Sequence, residues 1–297
     1  MNFFLASSAL GVWMDTTFAG FDMAVFQFFG KMQNDILTGL AQVFTTLGEP
    51  WYVVLMGLLG IVLIFFKRTR KYGLALVFSI AIGTLLTNVV IKELFMRVRP
   101  YNTLQHIPEY FGWYQGAGML GEGDYCFPSG HATAATEIAL SLFLCFRKDK
   151  KGKWAWLLLV AAALNACSRV YLMVHYATDV ICGILVGCLA AVIGYNLARL
   201  ITEKQEARGK GDRLDLERIF CDKFHVKSTR AGRTCAVIIA WLAIFLVSFL
   251  HMNYSATHSP RCAYKGDYQC YNEAEADDKY LYNGDYYCEM HWQELNP

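Results

Sequence analysis

Charge is what this chain has least of. Asp, Glu, Lys and Arg supply 18% of its 297 residues and hydrophobic residues 55%, whereas soluble domains carry about a quarter charged. A soluble globular fold is therefore disfavoured, and an integral membrane protein is the natural class. No basic excess marks a nucleic-acid surface. The net charge is +2, and in the strongly basic stretch 200–234 the acids Glu203, Glu206, Asp212, Asp215, Glu217 and Asp222 offset the bases. The first thirteen residues lack the Lys/Arg cluster of a cleavable signal peptide. Internal repeats and low-complexity tracts are also missing. Ten cysteines in a chain of this length do not make a disulfide scaffold; Cys145, Cys167, Cys182 and Cys188 fall inside apolar runs and read as small buried hydrophobes.

What is present is a series of apolar runs, at about 51–66, 73–95, 131–146, 154–170, 177–199 and 235–252. Several are shorter than the roughly 20 residues of a full span, so their polar ends are expected at headgroup level or around a cavity. The expected fold is an all-α integral membrane bundle of about six transmembrane helices. Five of them form a core over 51–200, a charged connector follows over 201–234, and a sixth helix occupies 235–253. An acidic tail with many tyrosines runs over 254–297. In the N-terminal segment 1–50, apolar residues recur at Phe21, Val25, Phe28, Met32, Ile36, Leu40, Phe44 and Leu47. Steps of three and four predict an amphipathic helix that lies in the interface or packs across the bundle.

Lys and Arg are missing from 100–130 and 171–176 but crowd 67–71, 147–153 and 200–234. The positive-inside rule puts the crowded loops in the cytoplasm and the depleted ones outside. Three polar signatures interrupt the apolar sequence, and all reach the depleted side. The first is Lys92 with Arg99-Pro100; the second Pro128-Ser129-Gly130-His131; the third Ser168-Arg169, then His175 and Asp179. Ionisable residues beside membrane spans are costly and tend to mark function. Lys92 and Arg99 are seven apart, which on one helix places both on nearly one face, with Pro100 ending that helix. Pro128 to His131 reads as a turn opening a helix whose free N–H groups attract an anion. His175 and Asp179 are one turn apart, so the carboxylate can fix the imidazole tautomer. Cations, an anion-binding helix start and an Asp-oriented His describe phosphoryl transfer.

Together the signatures resemble those of the type 2 phosphatidic acid phosphatases, which share a catalytic fold with vanadium haloperoxidases. The resemblance covers roughly residues 51–200. It implies His175 as nucleophile, Asp179 as its orienting carboxylate and His131 as proton donor to the leaving oxygen. It implies Lys92, Arg99, Arg169, Ser129 and Gly130 as the phosphate cradle, with no metal cofactor. The implied activity is hydrolysis of a lipid phosphate or diphosphate (polyprenyl diphosphate, phosphatidate or phosphatidylglycerophosphate) through a phosphohistidine. The site would face the outside of a bacterial cytoplasmic membrane, with the lipid as partner. Alternatives are a lipid-linked phosphotransferase, a catalytically silent lipid-phosphate binder or transporter, and a haloperoxidase. Singly, the signatures have plainer readings: snorkelling cations, a polar cap, a structural His–Asp bond. Together those readings require several coincidences of spacing.

Some residues lie outside the signatures. Glu137 is expected to be a structural carboxylate, and Asn88 and Asn165 interhelical hydrogen-bonding groups. In the tail, Cys262, Cys270 and Cys288, with Cys126, make an even set on the oxidising side; at least one disulfide is expected, with the tail covering the active-site mouth. A zinc site using Cys288-x-x-His291 and a disordered extension are the other readings; the spacings match no standard zinc ribbon.

Overall fold

The computed structural model describes residues 8–147, 152–208, 215, 229–258, 260–265, 269–274, 281–282, 285–288 and 291. Most of the 201–234 connector, and parts of the tail, lie outside the described residues. Helices dominate: α1 Ala9–Thr17, α2 Ala19–Lys31, α3 Asp35–Thr45, α4 Pro50–Ile64, α5 Arg70–Thr84, α6 Lys92–Phe95, α7 Pro100–Thr103 and α8 Pro108–Gly116. They continue with α9 Gly130–Phe146, α10 Trp156–Tyr171, α11 Ala177–Ala207 and α12 Arg230–His258. Among the described residues the one sheet is a two-stranded ribbon in the tail, Leu281–Tyr282 against Asp285–Tyr286.

Each of the six predicted runs is a helix. By length and composition four segments suffice to cross a membrane: Arg70–Thr103, Gly152–Tyr171, Ala177–Ala207 and Thr234–Ser255. A fifth is reached if Asp35–Gly48 and Pro50–Ile64, bent by 44°, count as one span. Gly130–Phe146 is apolar but shorter, and it is buried at the centre of the bundle. The outward faces are apolar, with Leu185, Leu189, Ile239 and Leu246 all more than half exposed, as expected of lipid-facing helices in a multi-pass membrane protein.

The bundle centre is built on small residues. α11 lies close against α9 because Gly183 and Gly187 have no side chain. A Cβ at Gly183 would lie 2.6 Å from the Ser129 carbonyl oxygen, and one at Gly187 2.7 Å from that of Thr133. This close approach lets the Ser129 N–H donate to the Asp179 carbonyl at 3.1 Å, joining the second and third signatures.

The N-terminal segment departs from the single predicted helix. The chain breaks after Lys31 and restarts at Asn34, whose side chain accepts from the Leu37 N–H and caps α3. Most of the predicted apolar stripe faces outward: Phe21, Phe28, Met32, Ile36 and Leu40 are exposed, while Val25 and Leu47 pack against the core and Asp22, Phe26 and Ala41 are buried. Periodicity identified a lipid-facing stripe, and a sequence pattern alone does not tell that from a core-facing one.

Candidate active site

The first signature is not the single helix that its spacing predicts. α5 runs through a π-helical stretch, Leu85–Ile91, into α6, which ends at Phe95. Met96 closes it in the left-handed region (φ 44°), its N–H donating to the Lys92 carbonyl. Arg99 is extended, as the residue before a proline prefers, and Pro100 starts α7 rather than ending a helix. Lys92 and Arg99 nevertheless converge, because both pair with the Asp124 carboxylate.

The second signature folds as predicted. Ser129 is the N-cap of α9, its hydroxyl accepting from the Ala132 N–H at 3.4 Å, with Gly130 and His131 in the first turn. A Cβ at Gly130 would stand 3.7 Å from Lys92 Nζ and 4.0 Å from Asn88 Oδ1, so this helix start faces the first signature. The third signature spans the α10–α11 corner. Arg169 lies in the last turn of α10, His175 in the connection, and Asp179 in the first turn of α11.

These residues meet at one end of the bundle. Arg99 Nη1 is 2.9 Å from His175 Nε2. Arg99 also pairs with Glu122 at 2.6 Å, and Glu122 pairs with Arg169 as well. The Glu122 carboxylate lies 3.8 Å from His131 Nδ1 and 3.9 Å from His175 Nε2. Two carboxylates of the 117–129 loop thus occupy the cation cradle, Glu122 between Arg99 and Arg169 and Asp124 between Lys92 and Arg99. Burial alone would raise the Asp124 carboxyl, but Lys92 and Arg99 outweigh it and hold it below the usual carboxylate range.

Burial, reinforced by Arg99 and Arg169, holds the His175 imidazole well below its ordinary value, so it is neutral at pH 7. Its Nδ1 faces Asp179 Oδ2 at 3.6 Å, longer than a hydrogen bond. That carboxylate oxygen accepts instead from the Cys126 thiol at 2.7 Å and the Tyr176 N–H at 3.0 Å. Burial and the adjacent Asp179 push the Cys126 thiol well up, so it remains a donor.

Several members of the site carried no sequence signal. Arg97 is fully buried between Asp15 (2.7 Å), Asp22 (3.0 Å) and Asp179 (2.5 Å), with the Tyr176 ring 3.7 Å from its guanidinium carbon. It ties the N-terminal helices to the third signature. Glu49, just before α4, lies 3.2 Å from His131 Nε2 and gives that imidazole the carboxylate its own motif lacks. Thr45 accepts from Arg169, and the carbonyls of Phe44 and Thr45 accept from Asn165, which is the interhelical role expected of that residue. Glu137 is buried on α9 against Gly83.

A cavity of about 690 Å³ opens from the cradle. Lys92, His131, Arg169, Glu122 and Asp124 line its polar end, and Val53, Val54, Gly57 and Ile80 of α4 and α5 its apolar flank. Two clusters offer metal-ligand atoms, Cys126 with His175 and Asp179, and Cys262 with Cys270, Cys288 and His291. In the first, the Asp179 oxygens are committed to Arg97, Cys126 and Tyr176.

Cations and two imidazoles around an anion seat, at one end of an apolar bundle, define a membrane enzyme acting on phosphate esters. Comparison with known proteins agrees. The PAP2 superfamily profile matches residues 72–203. An undecaprenyl-diphosphatase of Sulfolobus acidocaldarius is 34% identical over 169 residues, 57% of this chain and 74% of its own. A lipid A 4'-phosphatase of Porphyromonas gingivalis is 28% identical over 170 residues, 56% of this chain and 68% of its own. The crystal structure of a PAP2-type phosphatidylglycerolphosphate phosphatase from Bacillus subtilis, 25% identical, matches with a TM-score of 0.51. It covers 66% of this chain and 91% of its own. The chain belongs to the PAP2 superfamily and is a phosphate-ester hydrolase.

Proposed function

We propose that the protein removes phosphate from a membrane lipid, preferring a polyprenyl diphosphate, through a phosphohistidine formed on His175. The supporting observation is the pair of adjacent anion seats that share Arg99, one holding Glu122 and the other Asp124. A diphosphate carries two such anions at short range. Its terminal phosphate takes the Glu122 seat beside both imidazoles and its inner phosphate the seat at Lys92. The apolar flank between α4 and α5 lets the chain of the lipid remain among the helices. The undecaprenyl-diphosphatase relative has the matching substrate class in its name.

In the first step the His175 Nε2 lone pair forms the N–P bond as the bond from phosphorus to the leaving oxygen breaks. His131 gives that oxygen its proton. Asp179 supports the charge that develops on the His175 ring. Arg99, Arg169 and Lys92, with Ser129 and the Gly130 N–H, stabilise the equatorial oxygens, the kind of contribution that is usually largest. Water then attacks the phosphohistidine, with His131 taking its proton, and inorganic phosphate leaves.

The signatures cluster at the end opposite the basic loops, since α9 leads from His131 to Arg147 and α11 from Asp179 to Lys204. That geometry and the positive-inside rule favour an active site outside the cytoplasm. Phosphate release by the purified protein across a panel of lipid phosphates tests the reading. A polyprenyl diphosphate should be the best substrate. Turnover confined to monophosphates would reject the diphosphate preference, and phosphate transfer to an alcohol in place of release would reject hydrolysis.

A further inference from the structure

The tail holds a second cluster, separate from the cradle. Sγ of Cys262, Cys270 and Cys288 and Nδ1 of His291 all lie within 4.8 Å of one another, and all four residues are buried. Cys270 and Cys288 sulfurs are 3.9 Å apart, far beyond the roughly 2.05 Å of a disulfide. Cys262 and Cys288 sulfurs lie 3.5 and 3.2 Å from His291 Nδ1. A tetrahedral zinc with bonds of about 2.3 Å to sulfur and 2.0–2.1 Å to nitrogen has edges of about 3.8 Å between sulfurs and 3.5 Å between sulfur and nitrogen. The three separations above are close to those edges.

The expected disulfide is not formed. Among the described residues every cysteine is free, and Cys126 donates to Asp179 beside His175 rather than pairing with the tail. Three tail thiols cannot all be satisfied by pairing among themselves, whereas a four-ligand site uses all three and the imidazole. The surroundings suit thiolates. Asn272 Nδ2 points at the Cys288 sulfur (3.5 Å), Asn102 Nδ2 at that of Cys270 (3.9 Å), and Tyr264 stacks on His291 at 3.9 Å. Beyond α12, described regular structure in the tail is limited to the short ribbon and two isolated bridges, Arg261–Glu273 and Lys265–Gln269. The three sulfurs lie in one small buried cluster with Val98 and Tyr125, so a metal there would cross-link the tail where it meets the body of the protein.

We propose that Cys262, Cys270, Cys288 and His291 bind one structural Zn²⁺, which folds the tail into a cap over the active-site loop. Asn102 Nδ2 and the Tyr101 hydroxyl both donate to Asn272 Oδ1, at 2.9 and 3.0 Å. The Tyr101 oxygen also accepts from the Glu122 N–H at 3.1 Å. Arg261 donates to the Met119 carbonyl at 2.9 Å, and Gly121 has no room for a Cβ between Arg261 and Tyr271. Glu273 and Cys288 therefore line the same cavity as Lys92 and Arg169. The metal would act on the site through this contact chain, as a structural ion.

The test is metal and thiol analysis of the full-length protein purified in detergent. Elemental analysis should find about one zinc per chain, and alkylation under denaturing conditions should find all tail thiols reduced. Growth on cobalt should give the d–d bands and thiolate charge transfer of a tetrahedral cobalt–thiolate site. Cys262→Ser with Cys288→Ser should lose the metal, while Cys126→Ser should keep it. Metal-free wild-type protein, a disulfide between any two tail cysteines, or zinc lost only in Cys126→Ser would each overturn the proposal. The wild-type measurements decide the matter even if the double variant does not fold.

Discussion

Nη1 of Arg99 lies 2.9 Å from Nε2 of His175, so the proposed phosphate-binding cation and the proposed attacking atom meet at one point. The contact fixes which imidazole nitrogen faces substrate: Nδ1 points the other way, toward Asp179. It also helps keep the ring unprotonated.

The first prediction is a pH effect. With burial, Arg99 and Arg169 lowering its pKa, His175 stays a free base until the pH falls below the ordinary imidazole value of about 6.5. The acid limb of kcat/KM belonging to His175 therefore lies below that pH. Removing a cation raises the pKa, so Arg169→Gln should move the limb to higher pH as well as lower the plateau. Profiles measured on a short-chain soluble substrate check this. A lowered plateau with an unmoved limb would assign the limb to another group.

Glu122 pairs with Arg99 and Arg169, so in the proposed mechanism it competes with substrate for them. Glu122→Gln removes the charge, and a charge-assisted contact is worth about 1.5–3 kcal/mol. Vanadate or inorganic phosphate should then inhibit at roughly tenfold lower concentration or less. Unchanged or weaker inhibition would show that the carboxylate does not occupy the anion seat.

Arg97 should matter for stability. It is buried with Asp15, Asp22 and Asp179, so Arg97→Ala strands carboxylates without their cation, a loss of about 3–5 kcal/mol. Arg97→Lys restores charge but not the fork that reaches three partners, and should recover only part. Thermal unfolding in detergent provides the comparison; wild-type stability in Arg97→Ala would refute the account.

In the proposed mechanism Lys92, Arg99 and Arg169 supply the positive charge that Mg²⁺ brings to other phosphoryl-transfer sites, and the cradle carboxylates are paired with them. Turnover should be the same with and without added Mg²⁺. A requirement for Mg²⁺ would contradict the proposed mechanism.

Much of this architecture was legible in the sequence because it is periodic or local. Apolar runs gave the helices, and Ser129-Gly130-His131 gave a capped helix start from adjacent residues. The meeting of distant signatures at one bundle end followed from helix order. What escaped notice depends on irregular backbone. The Lys92–Arg99 spacing looked helical, but Met96 turns left-handed and Pro100 keeps Arg99 extended. Glu122 and Asp124 lie on a loop whose path no periodicity sets, and Glu49 reaches His131 only through the fold. Arg97 lies between two signature residues and belongs to neither motif, and only the fold brings three carboxylates to it. The tail ligands have spacings unlike a zinc ribbon, and only their convergence makes them a set.

The central claim is that His175 carries the phosphoryl group and His131 moves the proton. Rapid-quench trapping with labelled lipid phosphate, in wild type, His175→Ala and His131→Ala, tests it most directly. Wild type should yield an acid-labile, base-stable phosphoprotein. His131→Ala should still form it, more slowly, with the smallest loss for a substrate with a good leaving group; His175→Ala should form none. Labelled protein of the same lability in His175→Ala would contradict the account.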